Sequence, residues 1–227
     1  MKMIPDSLSA RITDEDTYLP FKAFNWDFDL SAFQVESQGL IYECICLHRG
    51  NLRDVGENGV PIRIHSGCLT SEVFGSPRCD CAWQLKHSLE YIVSFDQGML
   101  IYLPWQEGRG NGLFEKVRSF RLMNAGMTTS DAFAGLGLPR DNRDYAPALA
   151  ILFRFGLTRI QLITNNPAKI NAVRMAGIEI IKRIPSIMQT RDSHLLRYLN
   201  SKALQFGHLI DGGCNEEFCR SAYISNI

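Results

Sequence analysis

The chain has 227 residues, of which 45% are hydrophobic and 21% are charged, proportions that are typical of a globular protein rather than a disordered one. Its 24 Lys and Arg residues balance its 24 Asp and Glu residues, whereas proteins that bind nucleic acids or membrane surfaces usually carry a basic excess. We therefore expect neither partner, and any anionic ligand has to be held by cations placed locally.

The chain begins with a polar segment. Residues 1–25 lack clear periodicity, and we interpret residues 1–27 as a loosely held N-terminal extension. No apolar run at this end is long enough for a signal peptide, and none elsewhere approaches the ~20 residues of a membrane span. We therefore expect a cytoplasmic protein.

Strand and helix signals alternate from residue 39 onward. Strands are predicted over residues 39–48, 60–68, 99–105, 160–164 and 178–183. Helices are predicted from residue 80 to Gly98, from Leu113 to Gly126, from Asp144 to Arg154, and from Asn166 to Gly177. This alternation favours an α/β fold.

Three of the seven cysteines lie in a short window, in the order Cys68-x10-Cys79-Asp80-Cys81. A Cys-x-Cys pair chelates one soft ion, and a cysteine on the preceding loop supplies a third ligand. Three protein ligands leave the fourth tetrahedral position of zinc open, as in catalytic sites. Because no C-x2-C pair is present, spacing alone leaves two alternatives open. These are three unrelated reduced cysteines, or a structural site with His65 as its fourth ligand.

The other cysteines carry no such pattern. Cys44 and Cys46 alternate within a predicted strand, which indicates buried small hydrophobic side chains. Cys214 and Cys219 are spaced like a chelate, but they lie in the C-terminal tail without further ligands nearby. We expect no metal at that pair.

Four sequence blocks between residues 63 and 169 identify a family. They are RIHSGCLTSEVFGSPRCDCAWQL, QEGRGNGL, DNRDY and LITNNPAK, in this order. Together they resemble the GTP cyclohydrolase II family, over a catalytic domain that we place at residues 28–210, followed by a tail at 211–227. The resemblance implies an α/β fold with a mixed sheet and flanking helices, a homodimer, and GTP or a related purine nucleotide as substrate. It also implies one Zn²⁺ per chain at Cys68, Cys79 and Cys81, and Mg²⁺ bound with the triphosphate.

The family reaction removes C8 of guanine as formate and releases diphosphate, and it gives a diaminopyrimidinone ribosyl phosphate for riboflavin synthesis. In that reaction the zinc activates water for attack on C8. Asp141 and Arg143 match the family's acid–base residue and the residue that acts on the α-phosphate, either as a nucleophile or through its charge. Glu107 is suited to accept hydrogen bonds from guanine. The matched nucleotide-contacting positions are Arg63, His65, Ser66, Gln84, Glu107, Gly108, Arg109, Thr129, Thr164 and Lys169.

Four positions depart from the family pattern. Gly67 stands where the family usually has Glu, Trp105 where it has Arg, and Asn111 where it has an aliphatic residue. Phe120 stands at a catalytic position that is usually a Tyr close to the zinc. These changes raise two alternatives: a divergent cyclohydrolase that stops at the formamidopyrimidine for a pathway other than riboflavin, and a non-catalytic nucleotide-binding protein. A zinc-ribbon nucleic-acid binder is disfavoured by the neutral charge.

Overall fold

A single sheet with helices on both faces organises the chain. The computed structural model describes residues 9–53 and 56–210. Within these ranges the strands are β1 (Ala10–Ala23), β2 (Trp26–Ser37), β3 (Leu40–Arg49), β4 (Val60–Ser66), β5 (Gly98–Leu103), β6 (Arg159–Ile163) and β7 (Glu179–Ile184). The helices are α1 (Leu69–Glu72), α2 (Cys81–Val93), α3 (Gly112–Asn124), α4 (Thr129–Gly135), α5 (Ala146–Arg154), α6 (Pro167–Met175) and α7 (Ser193–Phe206). A 3₁₀ segment, Pro104–Gly110, follows β5.

The sheet is mixed, with the strand order β1-β2-β3-β5-β4-β6-β7. The pairs β1–β2, β2–β3 and β3–β5 are antiparallel, whereas β5–β4, β4–β6 and β6–β7 are parallel. The carboxyl ends of β4, β5 and β6 therefore meet at one edge, where ligands bind in open α/β sheets. The predicted α/β class, with a mixed sheet and flanking helices, is confirmed.

Strands β4, β5 and β6 are buried on both faces. In β5, Met99 and Ile101 pack in one core cluster with α5 and α6, while Leu100 packs in a second cluster with Leu89 and Ile92 of α2. A strand covered on both sides shows a continuous apolar run, which is why the sequence around β5 predicted a strand correctly. The burial expected of Cys44 and Cys46 is also confirmed, since both belong to the first cluster.

The expectation of a loosely held N-terminal extension is wrong for residues 10–23. These residues form β1, which pairs with β2 in a register from Ala10↔Ser37 to Ala23↔Trp26. Strand β1 lies at the edge of the sheet, where polar side chains are tolerated and hydrophobic alternation is weak. The backbone ladder with β2 holds it, together with the buried Ala10 and Ala23, and the cross-strand Lys22–Asp27 pair is exposed to solvent. Hydrophobic periodicity therefore gave no signal.

The other differences from the sequence prediction concern one strand and several helices. Helix α2 ends at Val93, and Gly98 begins β5, where an added Cβ would lie 2.6 Å from Ile92 Cγ2. Strand β2 and helices α1, α4 and α7 were not predicted. The 211–227 tail, with Cys214 and Cys219, lies outside the described residues. In the described part of the chain, no helix has the length and apolar character needed to span a bilayer.

Candidate active site

A cleft opens at the carboxyl ends of β4, β5 and β6, and it encloses about 1060 Å³ of empty space including its open mouth. The predicted site residues that line it are Arg63, His65, Ser66, Cys68, Cys79, Cys81, Gln84, Glu107, Gly108, Arg109, Phe120, Thr129, Arg143, Thr164 and Lys169. Asp141 lies behind Arg143, to which it is hydrogen bonded. The fold thus gathers residues from across the sequence at the edge where a ligand is expected.

The three predicted thiols converge within this cleft. Cys68 caps the short helix α1, and Cys81 begins α2 directly after Cys79 and Asp80. The sulfur atoms of Cys68, Cys79 and Cys81 all lie within 4.8 Å of one another, and the Cys68 and Cys79 sulfurs are 3.6 Å apart. A tetrahedral zinc ion with Zn–S bonds of 2.3 Å would hold its sulfurs about 3.8 Å apart. The thiols therefore lie close enough together to fit a three-cysteine metal site.

His65 is not a fourth ligand, because both of its ring nitrogens face other partners. Its Nε2 lies 2.8 Å from Glu72 Oε1, and its Nδ1 lies 3.2 Å from Arg63 Nη2. Burial lowers the pKa of His65 to about 4, so the ring is neutral at pH 7. Tyr102 donates to the other oxygen of Glu72 at 2.6 Å and fixes that carboxylate.

A lysine that the sequence did not single out joins the thiol cluster. Lys116, on α3, donates to Cys68 Sγ at 3.0 Å and to Glu107 Oε1 at 2.5 Å. Burial alone would lower the pKa of Lys116, but the Cys68 thiolate and Glu107 raise it, so the side chain is a cation. Hydrogen bonds from Cys79 and Cys81, together with Lys116, lower the pKa of Cys68.

The Glu107 carboxylate is largely occupied by the protein itself. Besides Lys116, the backbone N–H groups of Leu69 and Gly108 donate to it, at 2.6 and 3.1 Å. A carboxylate has about four acceptor positions, so three are used. Glu107 therefore has at most one acceptor position left for guanine, whereas the expected pair of hydrogen bonds needs two.

The turn after Glu107 packs against the loop that carries Asp141 and Arg143. Gly108, Arg109 and Gly110 all have left-handed backbone angles, with φ of +59°, +58° and +81°. An added Cβ at Gly110 would lie 2.6 Å from the backbone oxygen of Asn142. The Asn142 N–H donates to the Arg109 carbonyl at 2.9 Å. The two sequence blocks QEGRGNGL and DNRDY thus form one packed unit.

Asp141 holds Arg143 in a fixed orientation. Arg143 Nε donates to Asp141 Oδ1 at 2.9 Å, and Arg143 Nη2 donates to Asp141 Oδ2. Burial alone would lower the pKa of Arg143, but Tyr145 and Asp141 raise it above its ordinary value. Despite burial, Arg143 lowers the pKa of Asp141 below its ordinary value. At neutral pH the pair is therefore a protonated guanidinium and an ionised carboxylate.

The cleft is strongly cationic although the chain is neutral. Among the described residues, seven basic side chains line it: Arg63, Arg78, Arg109, Lys116, Arg143, Lys169 and Lys202. Burial and the nearby Arg63 lower the pKa of Lys169 well below its ordinary value. Glu107 is the one carboxylate in the same lining. Two buried polar atoms of this lining, Arg109 Nη1 and Thr129 Oγ1, have no hydrogen-bond partner among the described residues. Buried polar atoms are normally satisfied, so these two point to a ligand that completes their hydrogen bonds.

The profile of the GTP cyclohydrolase II family matches residues 13–185. The chain belongs to the GTP cyclohydrolase II family. It is 47% identical over 154 residues to a GTP cyclohydrolase-2 of Picrophilus torridus, covering 68% of this chain and 79% of that protein. It is 38% identical over 195 residues to a GTP cyclohydrolase-2 of Hahella chejuensis, covering 86% and 91%.

A third relative is longer. The chain is 44% identical over 154 residues to a GTP cyclohydrolase-2 of Xylella fastidiosa, covering 68% of this chain but 38% of that protein. The family predicted from the sequence is therefore confirmed. The GTP cyclohydrolase II match begins inside β1, which agrees with the place of that strand in the sheet.

The departures from the GTP cyclohydrolase II pattern have distinct structural settings. Gly67 is required by close packing, since a Cβ there would lie 2.9 Å from Tyr102 Oη and 3.0 Å from Pro104 Cα. Asn111 donates to the carbonyl of Pro139 at 3.0 Å and so helps to fix the turn. Phe120 faces the cleft, and Arg78 Cζ lies 4.9 Å from its ring centroid.

Trp105, like Asn111, lies outside the cleft lining. The Trp105 ring packs on Tyr42, with the ring centroids 4.2 Å apart. Of the departures, Gly67 and Phe120 therefore change the cleft wall, where the first lacks the usual carboxylate and the second lacks the usual phenol.

Helix α7 lies beyond the GTP cyclohydrolase II match yet forms one wall of the cleft. It contributes Tyr198, Lys202 and Phe206, and His208 follows directly after it. Lys202 donates to the buried Asp80, between the two metal-site cysteines, at 2.8 Å. Arg109 Cζ lies 4.2 Å from the Phe206 ring centroid. Sequence signals for α7 exist, since Asp192 caps its start and Gly207 ends it with a left-handed φ of +62°.

Proposed function

We propose that this chain hydrolyses the imidazole ring of GTP, releasing diphosphate and formate and leaving a diaminopyrimidinone ribosyl phosphate. The observation that carries the proposal is the presence, in one cleft, of three clustered thiols and seven basic side chains. We further propose one Zn²⁺ per chain, Mg²⁺ with the triphosphate, and a cytoplasmic homodimer that makes a riboflavin precursor.

The thiols at Cys68, Cys79 and Cys81 would hold the zinc. Zinc with three protein ligands activates water at neutral pH and acts as a Lewis acid. The residues of the chain supply the rest of the site. Three thiolates suit a soft or borderline ion such as zinc, and hard ions such as Mg²⁺ prefer oxygen ligands. Mg²⁺ is therefore assigned to the phosphates and not to the thiols.

The nucleotide is held by groups that the protein leaves available. Arg109 Nη1 and Thr129 Oγ1 are buried donors without partners in the part of the chain that the structure describes. Lys169 is buried near the start of α6, where its Nζ donates to the Ile64 carbonyl at 2.8 Å. Burial lowers the pKa of Lys169, and a bound phosphate would favour its ammonium form. An ammonium has three donors, so two remain for a phosphate.

Arg143 acts on the α-phosphate through its charge. A protonated guanidinium has no lone pair for nucleophilic attack, and Asp141 keeps Arg143 protonated. A fixed cation directed at a reacting phosphate stabilises the charge that develops in the transition state. Arg143→Ala should abolish diphosphate release with zinc still bound, and an unchanged rate of release would contradict this role.

The decisive experiment is incubation of the protein with GTP, Zn²⁺ and Mg²⁺, followed by mass analysis of the nucleotide products and metal analysis of the protein. Cys79→Ser should lose most of the zinc and all ring opening. Cys44→Ser is the matched control, because Cys44 is buried in the core away from the cleft. Full zinc occupancy in Cys79→Ser, or intact GTP with the unmodified protein, would contradict the proposed function.

A second candidate function is favoured by Phe120, which lines the cleft without a phenol. Formate leaves only after a second hydrolysis, in which the departing amine must be protonated. General acid–base help in such steps contributes typically about 10²–10⁴-fold. A tyrosine at this position could give that help, and phenylalanine cannot. The enzyme would then stop at the formamidopyrimidine and serve a pathway other than riboflavin synthesis.

The ratio of formate to consumed GTP separates the two candidates. Phe120→Tyr should raise formate release relative to ring opening if the second candidate is correct. Formate formed by the unmodified protein in equal amount to GTP consumed, and at the same rate, would exclude it.

A further inference from the structure

We propose that Lys116 is a positioning residue that holds the metal-binding thiol of Cys68 and the carboxylate of Glu107 together through one ammonium group. The inference rests on the proposed function in taking Cys68, Cys79 and Cys81 as a zinc site. It assigns to Lys116 a share of the metal affinity and of the placement of Glu107.

The geometry places the ammonium directly between two anionic groups. Lys116 Nζ lies 3.0 Å from Cys68 Sγ and 2.5 Å from Glu107 Oε1. The Lys116 and Glu107 side chains are only 14% and 9% exposed. An ion pair this buried is screened little by solvent, so the contacts are strong and directional.

The charges of the site explain why a cation is needed there. Zinc with three thiolates carries one net negative charge, and Glu107 adds a second beside it. Without Lys116, a buried carboxylate would face a metal-bound thiolate with no positive charge between them. Removing one partner of a buried ion pair leaves the other charge unpaired and is strongly unfavourable.

Glu107 also extends the contact to the backbone of the metal site. Its Oε2 accepts from the N–H of Leu69, the residue that follows Cys68, at 2.6 Å. Lys116 is thus tied to Cys68 twice, directly at the sulfur and through Glu107 at the next peptide. Partners of this kind orient metal ligands and tune the affinity of the site.

No other described cation of the cleft has a nitrogen within hydrogen-bond distance of a ligand sulfur. Arg78 donates to Asn124 at 2.9 Å and lies over Phe120, and Lys202 is paired with Asp80. The role therefore falls on Lys116 alone among the described cations of the cleft.

The test measures zinc affinity by competition with a chromophoric chelator, and it uses Co²⁺ absorption to report thiolate coordination. Lys116→Met should bind zinc about 10–100-fold more weakly, the range for loss of an outer partner of a metal ligand. Lys116→Arg should keep most of the affinity. Lys86→Met is the matched control, because Lys86 is 58% exposed on α2 and should leave the affinity unchanged.

A double variant separates the charge effect from simple loss of packing. In Lys116→Met combined with Glu107→Gln, the unpaired carboxylate is gone, so affinity should recover part of the loss. Circular dichroism of the metal-free proteins checks that each variant is folded. If Lys116→Met alone does not fold, the double variant is compared with Glu107→Gln alone and should bind zinc more weakly.

Two results would overturn the role of Lys116: affinity of Lys116→Met within about twofold of the unmodified protein, or a double variant no better than Lys116→Met. Either result with one zinc bound per unmodified chain leaves the proposed function intact. An unmodified protein that binds no zinc overturns both the proposed function and the role of Lys116.

Discussion

Replacement of Gly110 by alanine tests whether close backbone packing holds the two catalytic blocks together. Gly110 has φ of +81°, and its added Cβ would lie 2.6 Å from Asn142 O and 3.1 Å from Arg143 N. Gly112 has φ of +88° with nothing within 4 Å of an added Cβ. Gly112→Ala is therefore a control that carries similar backbone strain without the contact.

The expected loss has two parts. A left-handed φ costs a residue with a Cβ about 1–2 kcal/mol, and both variants lose this amount. Overpacking costs a further ~1–3 kcal/mol, which applies to Gly110→Ala alone because its neighbours are backbone atoms that cannot rotate away. For a protein of this size, 1 kcal/mol corresponds to about 2–4 °C in Tm. Gly110→Ala should therefore unfold about 2–12 °C below Gly112→Ala.

Calorimetry of the two variants gives this difference, and diphosphate release from GTP provides a second readout. The clash at Gly110 displaces the loop that carries Arg143, so Gly110→Ala should also release diphosphate more slowly than Gly112→Ala. Equal melting temperatures and equal rates in the two variants would refute the packing argument.

Three further predictions concern stability. His65 has a pKa of about 4 in the folded protein because it is buried, so the unfolded state binds more protons between pH 4 and 6.5. The free energy of unfolding should therefore fall as pH is lowered through this window, by up to about 1.4 kcal/mol per pH unit from this group, and His65→Gln should remove that slope in urea titrations. Lys202→Met should cost about 3–5 kcal/mol by leaving Asp80 buried and unpaired, and limited proteolysis should then cut within α7, whereas resistance equal to the unmodified protein would contradict the pairing. Gly67→Ala should cost ~1–3 kcal/mol, and Tyr102→Phe should reduce that cost because it removes the oxygen 2.9 Å away; additive losses in chemical denaturation would contradict this.

The sequence predicted those parts of the fold whose signal is local. Strand β5 is apolar on both faces, β4 has apolar residues at Val60, Ile62 and Ile64, and helix α6 has a cap at Asn166 and a terminating glycine at Gly177. Strand β1 was missed because an edge strand held mainly by its backbone ladder shows little hydrophobic alternation. Its polar residues look the same in a strand and in an unstructured segment.

Local sequence patterns also predicted only part of the candidate site. The short spacing of Cys68, Cys79 and Cys81 indicates a candidate metal site in the sequence itself. Lys116 does not, since on α3 it reads as part of a solvated face, and its contact with Cys68 spans 48 positions of the chain. Lys202 and Asp80 are separated by 122 positions. Contacts between residues so far apart in the sequence depend on the assembled sheet, and no local pattern predicts them.

The short spacing of the thiols also bears on when metal is acquired. Cys68, Cys79 and Cys81 are all synthesised before β5, β6 and α7, and closing so short a loop costs little chain entropy. Refolding with metal present from the start should therefore give more loaded protein than metal added after the sheet has formed. With the proposed zinc site, capture of the ion would not require the finished cleft, and the metal supply during synthesis would set how much of the protein carries it. The later segments, ending with α7, would then close over an ion that is already in place.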